Sequence, residues 1–229
     1  MAFTRGTPEV VSDSAGSGAT IQATGVYDQA AGELLVVAVS WENVNATCTV
    51  SDIAGSTFTP LTKQRDAASE FSTQLFYCLS CNASAVNVVT ASWGVSTPTY
   101  RNIAVHRFSY SGSAAFVAES GAAPGSGSTN PNCASIDASD VIVILVKEFA
   151  GTNSTPDTGY TEDYDVAANA THGFDKIGPN GTLTPQCTIG TSVQWGIVAA
   201  SFSNTAGGSG FAVPRNISFI TAVNRAANF

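Results

Sequence analysis

A chain of 229 residues, 44% of them hydrophobic, is long enough to bury a sizeable core as one large all-β domain or two small ones. Only 11% of the residues are charged, the net charge is −8, and the nine basic residues are scattered. That rules out a basic stripe able to neutralise a run of phosphates and argues against nucleic-acid binding. No window approaches roughly 18 consecutive apolar residues, so no membrane-spanning helix is expected and a membrane is not among the partners.

Along the chain, residues 1–18 are rich in Gly and Ser, carry Phe3 and Arg5, and read as an N-terminal arm. The opening from Met1 to Pro8 lacks the apolar core of a secretory signal, which sets the expectation of synthesis in the host cytoplasm, with release by lysis or another route without a signal peptide. Beyond it, β-branched and aromatic runs are separated about every eight to twelve residues by Gly, Asn, Asp, Ser or Pro. No segment holds a helical apolar period for three turns, and the class is therefore all-β. Strands are predicted near 19–26, 33–42, 46–52, 57–66, 70–79, 85–94 and 101–111, then near 114–119, 131–136, 140–149, 159–167, 171–175, 182–188 and 193–204.

The run Gly32-Glu33-Leu34-Leu35-Val36-Val37-Ala38-Val39-Ser40-Trp41 recurs loosely as Ala138-Ser139-Asp140-Val141-Ile142-Val143-Ile144-Leu145-Val146-Lys147. Two similar halves, 19–120 and 131–206, follow, joined by a Gly/Ser/Pro-rich crossover from Gly121 to Pro131. The near-continuous apolar runs 34–39 and 141–146 are what central strands show when both faces are covered, by the opposing sheet on one side and by loops or a neighbour on the other. One sandwich, 19–206, is the favoured reading, with two separate seven-stranded domains as the alternative.

After the Gly/Ser joint that closes at Gly210, the chain continues as an apolar segment with two arginines and no acids. Residues 207–229 read as a C-terminal assembly arm whose contacts are Phe211, Val213, Arg215, Ile217, Phe219, Ile220, Arg225 and Phe229. Each large side chain left in water forgoes roughly 1.5–3 kcal/mol of burial, so the segment should dock, either as a last strand of its own sandwich or on a neighbouring subunit.

No residues assemble a catalytic motif, and the reading is that the protein is not an enzyme and needs no cofactor. His106 and His172 lie in segments without a nucleophile motif and are read as hydrogen-bonded surface or interface residues. Five cysteines, Cys48, Cys78, Cys81, Cys133 and Cys187, are expected to be free and buried. Cys78-Leu79-Ser80-Cys81 has metal-knuckle spacing, but positions i and i+3 within a strand point to opposite faces. Asp157, Glu162, Asp163 and Asp165 supply hard oxygen ligands of the kind calcium prefers; a solvated acidic loop is the plainer reading. Trp41, Trp93 and Trp195 with Tyr77, Tyr100 and Tyr110 could form a sugar-stacking platform, although strand aromatics more often belong to the core.

The first of these runs, followed by Val50-Ser51-Asp52-Ile53-Ala54-Gly55-Ser56-Thr57-Phe58-Thr59, resembles a repeat pattern in β-sandwich proteins encoded by bacteriophages and bacteria. Leu75-Phe76-Tyr77, Phe108-Ser109-Tyr110-Ser111-Gly112 and Ile177-Gly178-Pro179-Asn180-Gly181-Thr182 look like further parts of it, covering roughly residues 20–205. The resemblance implies a jelly-roll-like or lectin-like antiparallel sandwich and carries no catalytic residues. Joined to the apolar tail and the weak surface charge, it sets the expectation of a virion protein that decorates or cements a bacteriophage capsid. Its partners would be capsid or other virion subunits and further copies of itself. The alternatives are a carbohydrate- or receptor-binding module, with a glycan as partner, and a surface filament subunit.

Overall fold

The computed structural model describes residues 2–13, 16–68, 70–123, 127–138, 140–149, 153–166, 170–179 and 181–205. The fold is all-β, an antiparallel sandwich built from two similar halves. Among the described residues no helix is long and apolar enough to cross a membrane.

In the first half, β4 (Leu34–Glu42) lies between β10 (Thr99–Ser109) and β8 (Phe71–Cys78). The short strands β6 (Thr59–Pro60) and β7 (Gln64–Asp66) extend this sheet along β8. An outer sheet is made by β9 (Ser84–Ser92) between β3 (Thr20–Gln29) and β5 (Thr49–Asp52). The second half repeats the plan. There β13 (Val141–Glu148) lies between β19 (Trp195–Thr205) and β16 (Thr171–Ile177), with β11 (Ser113–Ala122) and β15 (Thr161–Val166) at the edges. Its outer layer is two small pairs, β12 (Ile136–Ala138) with β17 (Gly181–Leu183) and β14 (Ser154–Pro156) with β18 (Cys187–Ile189). The correspondence extends to register: Leu34 faces Phe108 across one strand pair and Val141 faces Phe202 across the other.

Alternation along each central strand sends side chains into different cores. Leu35, Val37, Val39 and Trp41 pack outward with Ile21, Val89, Ala91 and Trp93. Leu34, Val36 and Ala38 point the other way and meet Val141, Val143 and Leu145 from β13. The remaining faces of β13, Ile142, Ile144 and Val146, pack beneath the small outer pairs with Ile136, Ile189 and Trp195. The result is four layers with three cores. Both apolar runs are covered by sheets on both sides, and the central core joins the halves.

Several expectations change, among them the predicted strand 57–66, which is split into β6 and β7, and 131–136, of which only Ile136 is in a strand. The predicted strand 182–188 is broken into β17 and β18 at Pro185, which has no backbone N–H to give a ladder and instead accepts from the Cys133 amide at 3.2 Å. The expected N-terminal arm is, from residue 2 to residue 13, part of the molecule's own sheet. There β1 (Thr4–Arg5) and β2 (Glu9–Asp13) pair along β10. Phe3 is buried edge-on against Phe108 and Tyr110, at 6.1 and 5.3 Å between ring centroids. An apolar side chain and an otherwise unpaired edge account for this docking. The expected C-terminal arm, with Phe211, Val213, Arg215, Ile217, Phe219, Ile220, Arg225 and Phe229, lies outside the described residues.

Candidate functional site

Between the two halves the apolar core is bounded by polar contacts that cross from one half to the other. Ser40 and Thr171 hydroxyls meet at 3.0 Å, and Lys147 Nζ, buried, reaches Glu42 Oε1 at 2.7 Å. Burial pulls the Lys147 ammonium below its usual range, and the Glu42 carboxylate opposes that pull. The densest of these contacts is at β1. Arg5 donates from Nε to Asp175 Oδ2 at 2.6 Å and pairs through its terminal nitrogen with the other oxygen of the same carboxylate. Arg5 Nε also lies 3.6 Å from Asp163, whose second oxygen is 3.0 Å from His106 Nδ1. Asp163, Asp175 and His106 are all buried from solvent. The guanidinium therefore occupies the place a cation would take among these three groups.

A second histidine cluster is built by a β-bulge. In β15 the register against β16 shifts between Glu162 and Tyr164, so Glu162 stands opposite Phe174, Tyr164 opposite Gly173 and Asp165 opposite His172. In a regular strand Glu162 and Asp165 would lie on opposite faces; the extra residue returns both to the outer face and sends Asp163 and Tyr164 inward. Gly173 makes the inward turn possible. The Tyr164 ring lies against it, and a Cβ there would come within 2.1 Å of a ring carbon. Tyr164 closes against the central core, and burial raises its phenol well above the usual range.

On the outer face, His172 is wholly buried and its Nε2 is 2.9 Å from Glu148 Oε1, a carboxylate as deeply buried. Its Nδ1 lies 3.0 Å from Asp165 Oδ1 but off the line a hydrogen bond requires. Glu162 accepts from Ser154 Oγ at 3.2 Å. One ligand atom from each of Glu162, Asp165 and His172 falls within 4.8 Å of the others.

The four acids flagged from sequence thus do not form one site. Asp157 stands apart, accepting from Gln186 Nε2 at 3.0 Å, a bond that holds its carboxyl below the usual range. It borders a polar depression of about 300 Å³ with Asn130, Pro156, Cys187 and Thr188. Asp163 turns to the inter-half cluster, and only Glu162 and Asp165 stay together. The histidines, expected at a surface or interface, are buried and each faces carboxylates. Sequence reasoning overlooked His172 and Glu148 as partners. One signal was available: Lys147-Glu148 closes an otherwise apolar buried strand, and charges there need partners.

All five cysteines are free and buried. The opposite-face argument against Cys78 and Cys81 fails because β8 ends at Cys78 and the chain turns, held by the Cys81 amide on Glu33 O at 3.0 Å. The Cys81 thiol donates toward Cys78, lowering the Cys78 pKa and raising its own. Trp41, Trp93 and Trp195 are buried, and Tyr77 stacks on Phe116 inside the central core, so the aromatic set forms no exposed platform; of the six, only Tyr100 is exposed.

No family model matches the chain, and no curated protein or solved structure matches it.

Proposed function

We propose that the protein is a non-catalytic structural subunit of a virion, one that decorates or cements a bacteriophage capsid and associates with copies of itself. The observation that carries this reading is the position of β19. It is the last described strand, and both of its edges are taken, by β11 and by β13. The acid-free sequence after residue 205, with three phenylalanines, calls for burial, and an edge or face of a neighbouring subunit would supply it.

Two features support the reading. Three sheet-on-sheet cores and polar contacts across the central one make a stiff body, suited to transmitting load between neighbours. Val95, Tyr100 and Phe149 are exposed and come from one end of the stack, where Thr99 stands opposite Glu42 and Glu42 pairs with Lys147. The glycan-binding alternative draws less support, since the aromatic rings it would use are mostly interior.

The test compares the full chain with a variant lacking residues 207–229, by sedimentation velocity and by electron microscopy of the chain mixed with capsids. The expected result is that the full chain self-associates and loads onto particles, while the shortened chain stays monomeric with a melting temperature within a few degrees. Equal assembly and loading by both chains would overturn the proposal.

A further inference from the structure

We propose that Glu162, Asp165 and His172 form a binding site for a borderline divalent transition-metal ion of the zinc class, with Glu148 orienting the histidine. This inference is independent of the proposed role in assembly.

The argument starts from the imidazole. Glu148 is a buried carboxylate 2.9 Å from His172 Nε2, and in the tautomer that donates to it from Nε2 the Nδ1 lone pair faces Asp165. A lone pair and a carboxylate oxygen 3.0 Å apart repel unless a positive centre lies between or beside them. Nδ1 has no hydrogen bond, although the residue is fully buried. Two atoms bound to one ion at about 2.0–2.2 Å lie about 2.9–3.4 Å apart at octahedral or tetrahedral angles, and the observed separation falls in that range. The opposite ring nitrogen is held by a carboxylate, the arrangement that fixes tautomer and ring direction in metal-ligating histidines.

The carboxylates fit as well. The bulge in β15 places Glu162 and Asp165 on the same face, and both are exposed, so they have freedom to close on an ion and water has access to the remaining positions. Neither forms an ion pair with Lys or Arg among the described residues. Two carboxylates and a neutral imidazole match the charge of a dication. One nitrogen and two oxygens favour a borderline ion such as Zn²⁺ over Ca²⁺, which takes six to eight oxygens. The inter-half cluster of His106, Asp163 and Asp175 has a similar donor set but already holds the Arg5 guanidinium.

The experiment is calorimetric titration of the full, reduced chain with Zn²⁺, repeated with Ca²⁺, and with the variants Glu162→Gln, Asp165→Asn and Asp157→Asn. Both site variants alter exposed side chains, so the fold should survive; circular dichroism checks this. The expected result is one Zn²⁺ per chain, weakened at least tenfold by Glu162→Gln or Asp165→Asn, unchanged by Asp157→Asn, and bound more tightly than Ca²⁺. Nitrogen NMR of the imidazoles should show the His172 ring shifting on zinc addition, Nδ1 most, with His106 unchanged. Absence of saturable zinc binding, binding that both site variants leave within twofold, or a preference for Ca²⁺ would each overturn the proposal. Zinc binding that persists in a variant carrying both Glu162→Gln and Asp165→Asn would likewise overturn it and assign the ion to the thiols.

Discussion

The two histidine clusters are built from the same residue types and lie back to back on the sheet that contains β15 and β16, yet they solve the problem of buried carboxylates differently. Around His106 the cation is covalent to the chain: Arg5 arrives on β1 and neutralises Asp175 and Asp163 from the opposite half. Around His172 the groups all come from the second half, and among the described residues no Lys or Arg pairs with Glu162 or Asp165. A cation supplied by the chain welds two elements together, because removing it leaves charges stranded in the interior. A site without one keeps the carboxylates of Glu162 and Asp165 at the surface, where water supports them until an ion arrives.

The sharpest way to break this contrast is to remove the built-in cation. Arg5→Ala should destabilise the protein by about 3–5 kcal/mol, since Asp175 then stays buried without its cation and Asp163 keeps only His106; urea unfolding at neutral pH measures it. Asp165→Asn in metal-free protein should cost under about 1 kcal/mol, as its side chain is partly exposed. Equal costs would mean that Arg5 is no more than a surface ion pair. Next comes the bulge that separates the two clusters. Gly173→Ala places a methyl group inside the Tyr164 ring, and overpacking of this kind costs about 1–3 kcal/mol. If Tyr164 instead swings aside, Asp163 and Asp165 lose their separate directions, and both the stability and the zinc affinity of the variant should fall. A Gly173→Ala variant with unaltered melting temperature and zinc affinity would show that the ring does not hold the bulge.

How far the sequence reveals this arrangement depends on the range over which each feature is encoded. Strand positions were legible because Leu34 to Val39 and Val141 to Val146 are apolar on both alternations, a local pattern with one structural solution. The small strands β1, β2 and β14 were not, since two to five residues carry too little periodicity. Of the acidic segment 157–165, its ligand chemistry was legible but its geometry was not. A single bulge reverses the facing of every later side chain, and the bulge depends on Gly173, a residue on the neighbouring strand. Arg5 and Asp175 are 170 positions apart, and no local signal links them.

The smallest effect concerns thiols placed on the two sides of the same comparison. Cys48, under the outer sheet of the first half, and Cys187, beside Glu148 and Glu162, both have pKa values raised to about 12. Burial is the main cause in each; for Cys48 the Lys63 charge opposes it, whereas for Cys187 the two carboxylates add to it. In the unfolded chain these thiols ionise near the ordinary thiol value of 9.0, so between about pH 9 and 12 the folded state binds more protons than the unfolded one. Stability therefore falls as pH rises through that window, by about 1.4 kcal/mol per pH unit for each fully buried thiol. Replacing Cys48 or Cys187 by Ala should flatten the decline above pH 9, measured as melting temperature in reducing buffer. A dication on Glu162 and Asp165 would remove part of the carboxylate field at Cys187 and leave Cys48 unchanged. Zinc should then lower the alkylation midpoint of Cys187 alone, and equal shifts at both thiols would mean that the ion is bound elsewhere.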